Sequence, residues 1–188
     1  VRVEEEERCP VLILPGSWEE YLGRLRAKDR HELRRKLRRF ERECPGALVR
    51  SCTSGDEVNA AMESFLSLHR KSGAGKHRFM DDRMERFFRL ACPALARAGW
   101  VRLWLLDWDG SSLAACICFE HGGEVWLYNS GFDPAHAGRS PGIVLLAHLI
   151  GDAIKRGIPR FDFLRGEEPY KYAFGSTPSS LYRIEVAG

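Results

Sequence analysis

No stretch of the 188-residue chain approaches the roughly 20 consecutive apolar residues of a bilayer-crossing helix, and the opening residues form no positively charged, apolar, cleavable leader. A cytoplasmic location is the expectation. The six cysteines, Cys9, Cys44, Cys52, Cys92, Cys116 and Cys118, include no Cys-x-x-Cys pair and have no His-x-His nearby, so no zinc site is signalled and no metal is expected. They read as small buried thiols of a reducing compartment, with Cys116 and Cys118 on one face of a strand. His31, His77, His121, His136 and His148 show no spacing that suits a Ser-His-Asp nucleophile. Internal repeats and low-complexity segments are also lacking.

What is present is the composition of a folded domain of ordinary size, 44% hydrophobic and 29% charged. The net charge of +3 is uneven, because residues 24–42 hold ten of the 29 basic side chains and three of the 26 acidic ones. Within that stretch Leu33, Leu37 and Phe40 recur at helical spacing beside a stripe of Arg30, Arg34, Arg38 and Arg42. The stripe lacks the interleaved aromatics of single-strand nucleic-acid readers. A solvated face or an interface with another lobe is the first reading, and phosphate or RNA contact the second.

The periodicity gives the order of elements. Val11 to Leu14, closed by Pro15-Gly16, reads as a strand, and Ser17 with Glu19 and Glu20 as a helix start. After Pro45-Gly46 the run Ala47 to Cys52 is strand-like, and Ser54 caps a helix carrying Val58, Met62, Phe65, Leu66 and His69. A glycine-rich break at Ser72 to Gly75 precedes a helix from about Asp81 to Ala98. Three β-rich runs follow, Trp100 to Trp108, Leu113 to Glu120 and Glu124 to Phe132, joined by the hairpin signals Asp109-Gly110 and Gly122-Gly123. Pro141 opens an amphipathic helix that runs to Arg156 and stops at Gly157. Arg160 to Leu164 reads as a strand, Glu167 to Phe174 as a short helix, and Leu181 to Val186 as a final strand.

This order, with a three-strand meander leading into a glycine-containing loop and a helix, resembles the GNAT superfamily of acyltransferases. Further stretches are similar to the CelD-type branch found in cellulose-biosynthesis clusters and to Fem-type peptidyltransferases. They are Cys9-Pro-Val-Leu-Ile-Leu-Pro15, the Arg34 to Arg39 helix, Trp126 to Asp133, Ser140-Pro-Gly142 and the block from Phe161 to Gly175. The resemblance implies an α/β (α+β) GNAT fold, a mixed, mostly antiparallel twisted sheet flanked by helices with an N-terminal helical lead-in. Residues 1–45 are then lead-in strand and basic helices, linking to an N-terminal lobe expected to lie outside a chain that opens at Val1, and residues 46–188 the transferase domain.

It also implies acetyl-CoA or another acyl-CoA as co-substrate. Backbone amides at a loop feeding a helix N-terminus suit a diphosphate, which places Arg139, Ser140, Gly142 and Ile143 at the cofactor; Val144 stands where the superfamily loop ends on Gly or Ala. A splayed strand supplies a free amide to a developing oxyanion, which implicates Leu127, Tyr128, Asn129 and Ser130. Tyr170, with Tyr172 as competitor, is the expected acid for a leaving thiolate, and Lys171 the cation beside the reacting carbonyl. Asp162, Glu167 and Glu168 are candidate bases; carboxylates beside Arg165 and Lys171 also fit simple ion pairs. His69, Arg70, Tyr128 and Arg165 are expected at the acceptor, a small molecule, saccharide or peptide. Two alternatives stand beside acyl-CoA chemistry: a Fem-like transferase drawing on aminoacyl-tRNA, and a non-catalytic module of exopolysaccharide assembly.

Overall fold

The computed structural model describes residues 1–186. Its centre is the expected meander of β3 (Val101–Trp108), β4 (Ser111–His121) and β5 (Glu124–Phe132). Both connecting pairs, Asp109-Gly110 and Gly122-Gly123, have positive φ at both residues, the backbone that matches a tight hairpin to the twist of its strands. On one side β2 (Leu48–Cys52) pairs antiparallel with β3. On the other, β6 (Arg160–Asp162) lies parallel to β5, and β1 (Arg2–Ile13) runs between β6 and β7 (Thr177–Glu185), antiparallel to both. The result is one seven-stranded sheet in the order β2-β3-β4-β5-β6-β1-β7, mixed and mostly antiparallel.

Strand alternation divides the core into two layers. Leu103, Leu105, Ala115 and Ile117 pack under α3 (Gly55–Lys71) and α5 (Asp82–Arg97), where Val58, Met62, Phe65, Leu66 and Phe88 are fully buried. Trp104, Leu106, Cys116, Cys118 and Val125 face α1 (Trp18–Arg24), α2 (Ala27–Glu43) and α6 (Pro141–Lys155). Burial on both faces explains why β3 and β4 read as nearly continuous apolar runs. Each large side chain so enclosed contributes about 1.5–3 kcal/mol. The six cysteines are free and buried, and burial drives the Cys116 thiol up to about 12 against the opposing effect of Lys76, which removes it as a thiolate nucleophile at neutral pH.

Helix ends follow local chemistry. Ser54 and Glu57 form a reciprocal capping box on α3, and Asp81 caps α5 through the Met84 amide. The break expected at Ser72 to Gly75 is shorter than the sequence suggests, because α4 (Ala74–Phe79) forms immediately after Gly73. The last two strands at this end of the sheet are longer than expected: β1 begins at Arg2 and β7 at Thr177, pairing with each other from Arg2↔Glu185 to Val11↔Thr177. The lead-in of residues 1–45 thus supplies a strand of the common sheet, and α2 packs against α6.

Candidate functional site

The sheet opens between β5 and β6. Their parallel pairing ends at Trp126↔Asp162, while β5 continues to Phe132. Beyond Asp162 the chain leaves β5: the Phe163 amide donates to the Pro10 carbonyl at 2.9 Å, and Leu164 turns at φ 55° with its amide on Asp162 Oδ1 at 2.7 Å. The strand is bulged where it separates. Register passes from Ile117↔Asn129 to Cys118↔Leu127, leaving Tyr128 without a partner, and bulges re-aim backbone and side chains beside functional sites. The Tyr128 ring packs on Phe119 and Phe88 at 5.1 and 6.0 Å and stays partly exposed.

Gly131 fixes what lies above this strand. A Cβ there would stand 2.4 Å from the His69 amide nitrogen and 2.5 Å from the Leu68 carbonyl carbon, so α3 crosses β5 at a distance only glycine permits. The crossing brings His69 Nε2 to Asn129 Oδ1 at 2.8 Å. Ser72 ties the end of the same helix to Phe132 by accepting from its amide at 2.7 Å, while its own hydroxyl donates to the Leu68 carbonyl at 2.7 Å and has the Phe132 carbonyl at 3.1 Å.

Two cavities occupy the opening. The first, about 420 Å³, runs to the start of α6 and is lined by Phe132, Ser140, Gly142, Ile143 and Cys116. The second, about 550 Å³, lies toward β6 and includes Trp126, Asn129, Asp162, Arg165 and Lys171. They meet at a waist formed by Lys76, Leu127, Ser130, Glu168 and Tyr170, residues that line both. Burial pushes the Tyr170 phenol upward, with the Glu168 carboxylate adding to the effect.

At the α6 end the amides of Gly142 and Ile143, in the first helical turn, have no carbonyl four residues back to receive them within the helix. With the helix dipole they present a local positive end to the first cavity. A Cβ on Gly142 would meet only ordinary contact with Phe132. Two expected contributors differ from expectation: Ser140 lines the cavity but its amide is committed elsewhere, and Arg139 lies outside it. The Ser140 amide donates instead to Ala137 at 2.9 Å. Arg139 turns away: its guanidinium lies 5.1 Å from the Trp108 ring centroid and its Nε 3.9 Å from Glu43. Aromatic stacking and an acidic neighbour on α2 hold it against the domain rather than in the cavity.

Lys171 is 3% exposed, with its ammonium enclosed by its own loop. It donates to the Arg165 and Gly166 carbonyls at 2.7 and 3.0 Å, reaches that of Leu164 at 3.5 Å, and pairs with Glu168 at 2.9 Å. It therefore organises the turn after β6, and its cation faces carbonyls of the chain. Burial works to raise the Glu168 carboxyl, but the hydrogen bond and charge of Lys171, joined by the Glu168 backbone amide and by Lys76, outweigh it, so Glu168 ionises below its ordinary range. Glu168, not Glu167, faces the cavities. Glu167 accepts from the Tyr172 hydroxyl at 2.8 Å on the surface, outside both. Asp162 does line the second cavity, although one oxygen already receives the Leu164 amide and the other lies 3.5 Å from Arg160.

The acceptor-side expectations divide in the same way. Arg165 lines the second cavity and pairs with Glu7 at 3.4 Å. His69 lines neither; it is 1% exposed and reaches the cavity only through Asn129. Arg70 is held by the Met80 carbonyl and the Glu85 carboxylate, so it braces α4 and α5 rather than facing a substrate. Lys76 is the residue that sequence reasoning missed: it projects from α4 to the waist and donates to the Ser130 carbonyl at 2.5 Å. Its position after a glycine-rich break carried no amphipathic signal. Among the described residues no cluster of three His, Cys, Asp or Glu side chains is placed to hold a metal ion.

A meander whose last strand splays from a parallel neighbour, with a helix N-terminus at the mouth, is the architecture of the GNAT-type transferase fold. The chain belongs to the family described as the acetyltransferase (GNAT) domain, whose profile matches residues 27–172. No curated protein matches it. Among solved structures it is similar to FemX, with a TM-score of 0.72 at 12% identity, covering 94% of this chain and 60% of that one. The C-terminal domain of a putative lysylphosphatidylglycerol synthetase from Agrobacterium fabrum gives a TM-score of 0.66 at 12% identity, with 96% and 60% covered. A GCN5-related N-acetyltransferase from Ralstonia eutropha JMP134 gives 0.56 at 20% identity, with 76% of this chain and 100% of that one covered. The chain thus spans about three fifths of FemX and of the synthetase domain. At these identities the likeness is one of fold.

Proposed function

We propose that the domain transfers an acetyl or other acyl group from acyl-CoA to an amine or hydroxyl by direct attack. The observation that carries this reading is the end of the β5/β6 pairing at Trp126↔Asp162, which leaves a strand edge and a cavity continuous with the α6 N-terminus. The amides of Gly142 and Ile143 hold the diphosphate of the co-substrate, and the unpaired edge of β5 from Leu127 to Ser130 receives its extended arm. The co-substrate supplies the activated thioester carbonyl; the bulge around Tyr128 aims a backbone amide at the oxygen where charge grows. Tyr170, at the waist, returns a proton to the leaving thiolate, and Glu168 receives one from the acceptor in the second cavity. Lys171 positions Glu168. Membership of the CelD-type branch, a small-molecule, saccharide or peptide acceptor and a cytoplasmic setting make up the finer form of the same proposal.

The test is thermal denaturation with acetyl-CoA, longer acyl-CoAs and free CoA. Ligand at a hundred times its Kd adds about 2.7 kcal/mol, a rise of roughly 5–11 °C for a domain of this size. Gly142→Asp, which sets a carboxylate at the diphosphate, abolishes that rise. Equal responses from wild type and variant would refute this cradle, and no response to any acyl-CoA would favour a module without turnover. The exposed stripe of Arg34, Arg38 and Arg42 on α2, with the resemblance of the block around Lys171 to Fem-type transferases, favours aminoacyl-tRNA as the alternative donor. Salt-sensitive binding of aminoacyl-tRNA without binding of acyl-CoA would establish it.

A further inference from the structure

Lys76 is the cation that lines both cavities at their junction. The remaining lysines differ in placement. Lys28 and Lys155 are on the outer surface, Lys36 and Lys71 pair with Glu32 and Asp133, and Lys171 is enclosed by carbonyls and Glu168. Lys76 reaches inward from α4, which packs on α3 where α3 crosses β5 at Gly131. Arg70 holds the Met80 carbonyl at one end of α4, and Phe79 packs on His69 at 5.8 Å. Its ammonium has the Ser130 carbonyl at 2.5 Å and no carboxylate within ion-pair distance among the described residues.

A carbonyl anchors an amine without holding it charged as a carboxylate does. One N–H stays on Ser130 while the lone pair of the neutral amine is left toward the waist. Burial lowers the basicity of Lys76 and outweighs the opposing charge of Glu168, so the neutral amine is more populated than on an exposed lysine. Ser130 lies on the strand edge assigned above to the arm of an acyl-CoA, which sets this nitrogen beside the path of the acyl group.

The geometry points to Lys76 as a site of self-acylation, an inference that rests on the acyl-CoA reading of the same opening. The Lys76 nitrogen attacks the thioester carbonyl carbon; the N–C bond forms and the C–S bond breaks, releasing the thiolate. The proton lost by the amine passes through the waist, where Glu168 and Tyr170 stand, to the thiolate, so the products are an Nζ-acyl-lysine and the free thiol of CoA. No other reactant is required. The amide is stable to the nucleophiles of an ordinary acceptor, so it is an end state rather than an intermediate. It removes a cation from the waist and fills it with the acyl group, which makes the reaction self-limiting whenever acceptor is absent.

The experiment incubates the purified chain with acetyl-CoA without acceptor and follows intact mass and tryptic peptides, with the free-CoA thermal shift measured in parallel. The expected result is one acetyl group per chain, lost tryptic cleavage after Lys76, suppression by excess free CoA, and no such gain in Lys76→Arg. Acetyl phosphate, which needs no CoA site, serves as the donor for uncatalysed labelling and marks Lys28 and Lys155 ahead of Lys76. A CoA-induced shift without acetyl on Lys76, or with acetyl spread over the surface lysines as acetyl phosphate spreads it, overturns the self-acylation alone. No shift and no labelling overturn the acyl-CoA reading beneath it.

Discussion

Replacing Lys171 with methionine separates a positioning role from a catalytic one. The substitution keeps an unbranched chain of similar volume, so packing changes little, and removes a buried ammonium that serves the Arg165 and Gly166 carbonyls and Glu168. Deleting one partner of a buried charged network costs about 3–5 kcal/mol. The Glu168 side chain is 55% exposed, so water takes over part of its solvation and the lower end applies. A loss of about 3 kcal/mol lowers the melting temperature by roughly 6–12 °C. The effect also depends on pH. The Glu168 carboxyl is held low in the folded protein, so its contribution is complete above the ordinary carboxylate range and is lost as pH falls through the depressed value. The gap between wild type and Lys171→Met, followed by calorimetry, therefore narrows on acidification. An unchanged melting temperature with abolished turnover would refute the positioning argument and return Lys171 to the reacting carbonyl.

Other perturbations follow from the same contacts. Gly131→Ala pushes a methyl group against the α3 backbone at His69 and costs about 1–3 kcal/mol or more, seen as a lower melting temperature even without ligand. His69→Gln tests a pH effect of opposite origin to an ion pair. Burial depresses the imidazole despite the Asn129 hydrogen bond, and Lys76 and Arg70 depress it further, so its neutral form is native. The contribution is complete above the unfolded value of about 6.5 and is lost as pH falls through the lower folded one; the variant should lose less stability between pH 7 and 5, and equal losses would exclude His69 as the source. Tyr170→Phe should leave the CoA thermal shift in place and lower kcat by about 10²–10⁴; a lost shift with normal kcat would make the tyrosine a binding group.

Much of the fold was legible because local signals agree with the tertiary outcome. Two positive-φ pairs, Asp109-Gly110 and Gly122-Gly123, set the hairpins, and the alternation of Leu103 to Leu106 assigns each face a helix layer. The outer ribbon was not legible in the same way. Residues 2–8 and 177–180 are charged or small and mostly exposed, so their pairing is set by backbone hydrogen bonds that leave no hydrophobic period. α4 escaped notice for a related reason: Gly73 and Gly75 weaken the helical pattern, and tertiary contacts at Phe79 and Met80 hold the turn in place.

The site was legible as a region and less so as individual atoms, and the difference has a physical basis. A motif gives residue types at a spacing, but which atom faces the cleft depends on partners distant in sequence. Arg139 belongs to the loop at α6, yet Glu43 and Trp108, from two other elements, determine where its charge goes. Glu167 and Glu168 are equivalent in sequence; Lys171 captures one and Tyr172 the other, and only the captured Glu168 lines the waist. The backbone features of the site escaped this ambiguity. An unpaired strand edge, a bulge and a helix N-terminus follow from the order of elements, whatever side chains surround them. Acyl transfer supported by such groups tolerates wide variation in side chains, so the donor chemistry is argued most firmly from β5 and α6. Acceptor preference rests on the side chains of the second cavity, and substitutions at Trp126 and Arg165, which line that cavity and not the first, should alter it while leaving acyl-CoA binding intact.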